Sequence, residues 1–116
     1  MTDFRRVTDT FSVAPQIEVE DVPLAAQAGF KVLVCNRPDG EALGQPSGAE
    51  MAEAARLAGL EFVHIPVVGG PTREQAEAFQ TVVSEASGPV LAYCRSGTRS
   101  INTWALGQAL AGAPTA

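Results

Sequence analysis

The sequence predicts a single α/β domain, residues 1–116, with a mainly parallel central sheet and helices on both faces. Short β-branched apolar runs alternate along the chain with stretches of helical spacing, as repeated strand–helix units do. A chain of 116 residues is long enough for one compact core, and it contains no internal repeat. The composition, 46% hydrophobic and 18% charged, is that of a globular protein.

The first part of the chain predicts two strands and a helix. Phe11–Ala14 has the composition of a short strand. Residues 19–27 have the apolar spacing of a helix, and a glycine follows where the helix is expected to end. Residues 31–35 are apolar and β-branched, which is typical of a buried strand. The Pro- and Gly-rich stretch 36–46 predicts a loop.

The middle of the chain predicts a capped helix and a third strand. Ser47 and Glu50 have the spacing of a capping box, and the alanine-rich residues 49–57 continue it as a helix. Residues 61–67 predict a strand whose proline indicates its end or an edge position.

The last part predicts a helix, a strand and a second helix in that order. Thr72 is suited to cap a helix over Arg73–Glu85. Val90–Tyr93 predicts a strand, and residues 100–110 have helical spacing. We expect residues 111–116 to form a frayed tail.

Charge and chain composition narrow the function classes. The net charge of −5 argues against a general nucleic-acid binder, which needs a basic face. No apolar stretch approaches the roughly 20 residues of a membrane-spanning helix, and the N-terminus lacks a secretory pattern. Two cysteines and one histidine give neither a disulfide framework nor metal-ligand spacing, and nothing indicates a cofactor. We therefore expect a cytoplasmic protein with no nucleic-acid or membrane partner.

The last predicted strand runs directly into Cys-Arg-Ser-Gly-Thr-Arg-Ser, residues 94–100. Ligands of open α/β sheets bind at the carboxyl ends of strands, where loop N–H groups and a helix N-terminus can surround an anion. We predict an anion-binding active-site loop with Cys94 as its thiolate nucleophile, because the same field favours the thiolate. Gly97 permits the turn, and Arg99 offers a planar fork for two oxygens of the anion.

Other polar residues of the loop are candidates for substrate binding. Ser96 and Thr98 lie within the predicted anion nest. Ser100 either donates its hydroxyl to the sulfur or caps the helix. Arg95 either contacts the substrate or is solvated. A buried, inert Cys94 is the alternative to a nucleophile, but burial would not explain two arginines, a glycine and two serines in the next six residues.

Four residues outside the loop have two interpretations each. Cys35 ends a central strand at the same sheet edge as Cys94, either as a resolving or sulfur-relay thiol or as a small buried residue. Arg37 either helps to bind an anionic donor or is solvated. A lone histidine in a strand, His64, favours a structural role, and the helical spacing of Trp104 favours core packing.

The strand–Cys–loop–Arg–helix arrangement resembles cysteine-dependent phosphatases and rhodaneses. Four residues separate Cys94 from Arg99, as in the Cys-Arg-x-Gly-x-Arg form of rhodanese-like sulfurtransferases. Tyrosine and dual-specificity phosphatases usually have five, with histidine before the cysteine, whereas Tyr93 precedes it here.

Nearly the whole chain resembles one bacterial family, the beta-lactamase-hydrolase-like, phosphatase-like domain family. The resemblance implies a fold similar to dual-specificity phosphatases and activity as a sulfur transferase or a phosphatase. It also implies a persulfide-handling metallo-hydrolase as a fused or linked partner of some members. The segments that carry it are residues 11–16, 34–39, 62–67, 91–97 and 103–106.

Two chemistries follow from this loop. Phosphate hydrolysis needs a general acid, but residues 67–72, where the phosphatase fold has its aspartate, contain no carboxylate. Asp39, Glu74 and Glu77 are the remaining candidates. Sulfur transfer from thiosulfate or a small persulfide needs no strong acid, because thiolates leave readily. We favour sulfur transfer through a Cys94 persulfide over phosphate hydrolysis, with a non-catalytic thiol sensor or anion-binding module as a third class.

Overall fold

A computed structural model describes residues 3–112 of the chain, and all structural statements refer to that part. Five strands form one sheet in the order β1-β2-β5-β3-β4. All neighbours pair in parallel except β1, which is antiparallel to β2. The mainly parallel sheet is thus confirmed. The elements are β1 Arg5–Thr8, β2 Phe11–Ala14, α1 Val22–Gln27 after a 3-10 turn at Val19–Asp21, β3 Val32–Cys35, α2 Gly48–Ala58, β4 Glu61–His64, α3 Arg73–Glu85, β5 Val90–Tyr93 and α4 Thr98–Gly112.

Helices cover both faces of the sheet, as predicted. On one face, α1 and α2 pack over strand residues such as Leu33 and Leu91. On the other, α3 and α4 pack over the alternate strand residues, including Val34 and Ala92. Trp104 of α4 belongs to this second core, where its ring stacks on Phe11 at a centroid distance of 5.2 Å. The predicted packing role of Trp104 is therefore confirmed.

The structure differs from the sequence-based elements at three places. Strand β1 was not predicted, because its polar residues are mostly exposed on an edge and show no apolar period. Strand β4 ends at His64, three residues before the predicted end at Val67, although the amides of Ile65 and Val67 still donate to the carbonyls of Cys35 and Asn36.

Helix α4 begins at Thr98, two residues earlier than predicted. The whole second half of the active-site loop is consequently the first turn of a helix.

No described helix is both long enough and apolar enough to cross a membrane. The tail was predicted to begin at residue 111, which is wrong for residues 111 and 112, because α4 continues to Gly112. Residues 113–116 of the predicted tail lie outside the described residues.

Helix α4 crosses α3 closely at Gly107. A Cβ at this position would lie 2.7 Å from the backbone oxygen of Ala76 and 3.3 Å from Cβ of Gln80. We expect Gly107→Ala to destabilise the protein by roughly 1–3 kcal/mol, because overpacking outweighs the better helix propensity of alanine. Urea unfolding measures this. Gly112→Ala, where nothing lies within 4 Å of the new Cβ, is the control, and an equal midpoint for the two variants would contradict the expectation.

Candidate active site

The segment from Cys94 to Gly97 joins β5, which lies between β2 and β3, to the first turn of α4. Backbone hydrogen bonds with residues at the end of β2 and just after it hold this segment in place. The amide of Cys94 donates to the carbonyl of Ala14 at 3.4 Å, and the amide of Gln16 donates to the carbonyl of Arg95 at 3.1 Å. The loop therefore sits at the carboxyl edge of the sheet, the position predicted for a ligand site.

Cys94 is fully buried, and the loop curls around its sulfur. The backbone N–H of Gly97 donates to Cys94 Sγ at 3.0 Å. Gly97 has a φ of 95°, a conformation that favours glycine, and its carbonyl accepts the Ile101 amide at the start of α4. The predicted turn at Gly97 is what aims this N–H at the sulfur.

Several groups tune the acidity of the Cys94 thiol. Burial alone raises the pKa of Cys94. Hydrogen bonds from the backbone N–H and hydroxyl of Ser100, and from the backbone N–H groups of Ser96 and Gly97, lower it by more, so the resulting pKa is below the usual value. Ser100 is itself fully buried, and its hydroxyl has no oxygen or nitrogen partner among the described residues. The hydroxyl is thus available to the sulfur, which supports the donor interpretation of Ser100 over a helix cap.

The lowered pKa of Cys94 predicts a pH profile for alkylation. Iodoacetamide reacts with the thiolate, so the rate at Cys94 falls as the pH drops through the pKa, and we expect the midpoint below that of a free cysteine. Ser100→Ala removes a donor to the thiolate and should move the midpoint upward. Mass spectrometry of Cys94 at each pH measures the rate. Ser84→Ala on the exposed side of α3 is the control, and identical profiles for the two variants would contradict this role of Ser100.

The fork of Arg99 holds a carboxylate of its own chain, a contact the sequence did not predict. Its Nη1 and Nη2 donate to Oε2 and Oε1 of Glu41, both at 2.8 Å, and Nη1 also donates to the carbonyl of Val67 at 2.9 Å. One N–H on Nε and one on Nη2 have no oxygen acceptor in the described part of the chain. Hydrogen bonding to Glu41 raises the pKa of Arg99 most, and the charge of Cys94 makes a smaller contribution in the same direction.

Arg37 shares the same carboxylate from a buried position. Its Nε donates to Glu41 Oε1 at 2.8 Å, and its Nη1 donates to Gln16 Oε1 at 3.1 Å. Only 5% of Arg37 is exposed, so the solvated alternative is wrong, whereas donor binding stays a prediction. Hydrogen bonds from Arg99 and then Arg37 lower the pKa of Glu41 to about 2. Two cations thus face one ionised carboxylate beside the loop.

Cys35 lies at the same sheet edge as Cys94, and its thiol interacts electrostatically with that of Cys94. Its register partner in β5 is Tyr93, the residue before the nucleophile, so Cys35 shares a face with Tyr93 and belongs to the core under α1 and α2. Its thiol donates to the Arg37 carbonyl at 3.3 Å, and burial raises its pKa. These observations favour the small buried residue, and the second-thiol role stays a prediction.

Two of the three candidate general acids are engaged elsewhere, and the third, Glu74, is exposed in the first turn of α3. Asp39 Oδ1 accepts the Gly48 amide at 2.7 Å, and Glu77 pairs with Arg73 on α3. His64 Nε2 lies 2.8 Å from the Arg37 carbonyl, in agreement with its predicted structural role. The carboxyl that the described residues place beside the loop is that of Glu41, and both of its oxygens accept hydrogen bonds from Arg99.

The outer rim of the loop is exposed. Ser96 donates its hydroxyl to Thr98 Oγ1 at 3.1 Å, and Arg95 is exposed beside them. The structure therefore brings Gly97, Ser100 and the backbone of Ser96 to the sulfur of Cys94. Arg99 interacts with it electrostatically, whereas Thr98 and Arg95 lie on the exposed rim.

Glu41 and Gln16 complete the site and were missed from the sequence. Glu41 lies 58 residues from Arg99 in a Pro- and Gly-rich loop that has no periodic pattern. Two features of the sequence could have indicated a role for Glu41 in the site: it lies four residues after Arg37, and it lies in the loop that follows a central strand.

Comparisons with known proteins agree with this geometry. A family model described as the phosphatase-like domain of beta-lactamase hydrolase-like proteins matches residues 3–111. A beta-lactamase hydrolase-like protein of Agrobacterium fabrum is 41% identical over 109 residues, which are 92% of this chain and 25% of that protein. The chain spans about a quarter of the length of the curated relatives it matches.

Two solved structures show the likeness in three dimensions. A proposed phosphatase from Neisseria meningitidis is 34% identical with a TM-score of 0.83, over 93% of this chain and 78% of that one. A kinase-associated phosphatase with its catalytic-site cysteine substituted is 14% identical with a TM-score of 0.64, over 84% of this chain and 66% of that one. The second likeness bears on the fold alone, and together they show that the fold is cysteine-phosphatase-like.

Proposed function

Since the chain belongs to the phosphatase-like domain family of beta-lactamase hydrolase-like proteins, we propose that it is a cysteine-dependent sulfur transferase acting through a Cys94 persulfide. The fold and the loop fit sulfur transfer and phosphate hydrolysis equally well. One observation favours sulfur transfer. The carboxylate beside the loop, Glu41, has a pKa of about 2 and is therefore ionised, so it cannot protonate the leaving oxygen of a phosphate ester.

The first step transfers sulfur to the enzyme. Cys94 thiolate attacks the sulfane sulfur of thiosulfate or of a small persulfide, and a new S–S bond forms. The S–S bond of the donor breaks, and its electron pair leaves with sulfite or with a thiolate. Both are weak bases compared with an alkoxide, so the step needs no general acid.

The second step transfers sulfur to an acceptor. An acceptor thiolate attacks the outer sulfur of the Cys94 persulfide, and the Cys94 thiolate leaves. The donors that lower the pKa of the Cys94 thiol, among them the N–H of Gly97, stabilise this leaving group. The free edge of Arg99 offers two N–H groups to the negative charge of the donor.

Phosphate hydrolysis is the second candidate, because a proposed phosphatase from Neisseria meningitidis shares the fold at 34% identity. In that reaction Cys94 would attack phosphorus, and water would hydrolyse the phosphocysteine. A thiol sensor or anion-binding module would bind the same ligands without turnover. A cytoplasmic location is part of the proposal. So is a persulfide-handling hydrolase as a linked partner, because this chain corresponds to about a quarter of the curated relatives.

Mass spectrometry distinguishes the candidates. The protein is treated with thiosulfate or glutathione persulfide, and we expect one added sulfur on Cys94 that a thiol acceptor removes. A parallel assay with an aryl phosphate uses wild type and Arg99→Ala. Absence of added sulfur would contradict sulfur transfer, and phosphate release that depends on both Cys94 and Arg99 would establish the phosphatase. Sulfate or phosphate binding without either turnover would indicate the binding module.

A further inference from the structure

Asn36 is a buried polar residue to which the proposed reaction assigns no role. It directly follows β3 and is completely shielded from solvent. Its backbone N–H donates to the carbonyl of Tyr93 at 2.8 Å, at the point where β5 runs into Cys94. Asn36 therefore lies in the interior, beside the base of the active-site loop.

One end of the Asn36 side chain has a partner and the other has none. Its Nδ2 donates to the carbonyl of Ile65 at 3.0 Å. A carbonyl can only accept, so this bond fixes which end of the amide faces Ile65. The other end, Oδ1, is buried and has no hydrogen-bond partner in the part of the chain that the structure describes. A buried acceptor without a partner lowers stability, so stability alone does not explain an amide at this position.

The bonds of Asn36 hold a segment that carries one of the acceptors of Arg99. The side chain binds Ile65, and the backbone carbonyl of Asn36 accepts the amide of Val67 at 3.1 Å. Strand β4 has already ended before Ile65, so these bonds take the place of regular strand pairing. The carbonyl of Val67 in turn accepts a hydrogen bond from Nη1 of Arg99 at 2.9 Å. A chain of three hydrogen bonds thus joins the Asn36 amide to the guanidinium.

The Val67 carbonyl is the backbone partner among the acceptors of Arg99. The other partner is the carboxylate of Glu41, which belongs to a loop outside the regular elements. If the Val67 carbonyl moves, Glu41 alone directs the guanidinium. Hydrogen bonds from a planar fork depend on its direction, so Arg99 then presents its remaining N–H groups to an anion less well.

We infer that Asn36 is a positioning residue that keeps Arg99 directed toward the anion bound at Cys94. It acts through the carbonyl of Val67 rather than through contact with the substrate. The inference concerns the site of the sulfur transfer proposed above, but it holds for any anion that Arg99 binds. Its test therefore needs no turnover.

Alkylation of Cys94 by a charged and a neutral reagent reports how well Arg99 is directed. Iodoacetate carries a carboxylate that Arg99 can bind, whereas iodoacetamide is neutral. A change in the amount of Cys94 thiolate affects both rates alike, so the ratio of the two rates isolates the anion site. Mass spectrometry of Cys94 measures both rates. We expect the ratio of the iodoacetate rate to the iodoacetamide rate to fall about tenfold in Asn36→Leu, the effect of losing one charge-assisted hydrogen bond.

Asn102→Leu is the matched control, because it makes the same exchange at an exposed position of α4 and should keep the wild-type ratio. Asn36→Leu removes the unpartnered Oδ1 but leaves the Ile65 carbonyl without its donor, so its two effects on stability oppose each other. We expect its urea midpoint to stay close to that of wild type. A purely structural Asn36 would give a lowered midpoint with an unchanged ratio, and an unchanged ratio overturns the inference.

Asn36→Asp is the conservative variant, and it decides the question if Asn36→Leu does not fold. A protonated carboxyl can donate to the Ile65 carbonyl as the amide does, whereas an ionised carboxylate cannot. Relative to wild type at the same pH, the ratio should be low at neutral pH. It should recover as the pH falls through the pKa of the new carboxyl, which burial raises. Asn102→Asp should show no such change, and a ratio in Asn36→Asp equal to that of wild type at every pH overturns the inference.

A double-variant cycle shows whether Asn36 acts through Arg99. Arg99→Ala removes the fork, so adding Asn36→Leu should leave the ratio where Arg99→Ala alone puts it. A further fall in the double variant overturns the inference. Alkylation proceeds whether or not Cys94 forms a persulfide, so failure of persulfide loading in wild type contradicts the proposed function alone.

Discussion

Cys94→Ser is expected to lose at least about 1000-fold in sulfur transfer, because removing a covalent nucleophile leaves only the binding residues. Serine has nearly the same shape as cysteine, so the fully buried site should keep its packing. The serine hydroxyl, however, does not ionise at neutral pH despite the donors of Ser96, Gly97 and Ser100. Persulfide formation is measured by mass spectrometry and turnover by sulfite release from thiosulfate.

Cys35→Ala is the matched control for the nucleophile. Cys35 belongs to the core under α1 and α2, and its thiol already donates to the Arg37 carbonyl. If it is a small buried residue, the variant still forms the persulfide on Cys94 and passes it to an acceptor. A Cys94 persulfide that forms but is no longer transferred would instead establish the relay role of Cys35. Persulfide on Cys94→Ser at wild-type level would contradict Cys94 as the nucleophile.

The regular elements and the nucleophile loop were predictable because their causes are local. The capping box of Ser47 and Glu50 forms as its spacing indicates, and so does the one that Thr72 and Gln75 make at α3. The left-handed conformation of Gly97 and the strand before Cys94 are properties of a few consecutive residues. Such features depend on neighbours in the sequence, which a single chain shows directly.

The charge network was not predictable for the opposite reason. Glu41 meets Arg99 only because β3 and β5 are neighbours, so the loops after them lie side by side. Strand β1 depends in the same way on pairing with β2, since its own residues are mostly exposed and polar. The start of α4 at Thr98 was missed because the last residues of the loop are also the first turn of the helix, although Gly97 directly before Thr98 was an available sign.

The network makes Arg99→Lys the variant with the second largest expected effect. Lysine keeps the charge but has one ammonium group in place of a planar fork. Arg99 donates to both oxygens of Glu41 and to the Val67 carbonyl, and the charge of Cys94 also stabilises its positive charge. An ammonium cannot serve all of these partners at once. We expect kcat/KM for sulfur transfer to fall about 100-fold, the usual effect of losing one preorganised donor to a developing charge.

Arg73→Lys is the control for this exchange, because Arg73 pairs with Glu77 on the exposed side of α3. Glu41→Gln addresses the other partner, since it keeps the shape but loses the charge that orients the fork. The pKa of Glu41, about 2, means that this carboxylate stays ionised until the pH falls far below 4. Above that pH, a loss of activity on acidification therefore reports protonation of the Cys94 thiolate. We expect this loss in Glu41→Gln as in wild type. Activity of Arg99→Lys within twofold of wild type would show that positive charge alone suffices, and the planar fork would then have no part in the reaction.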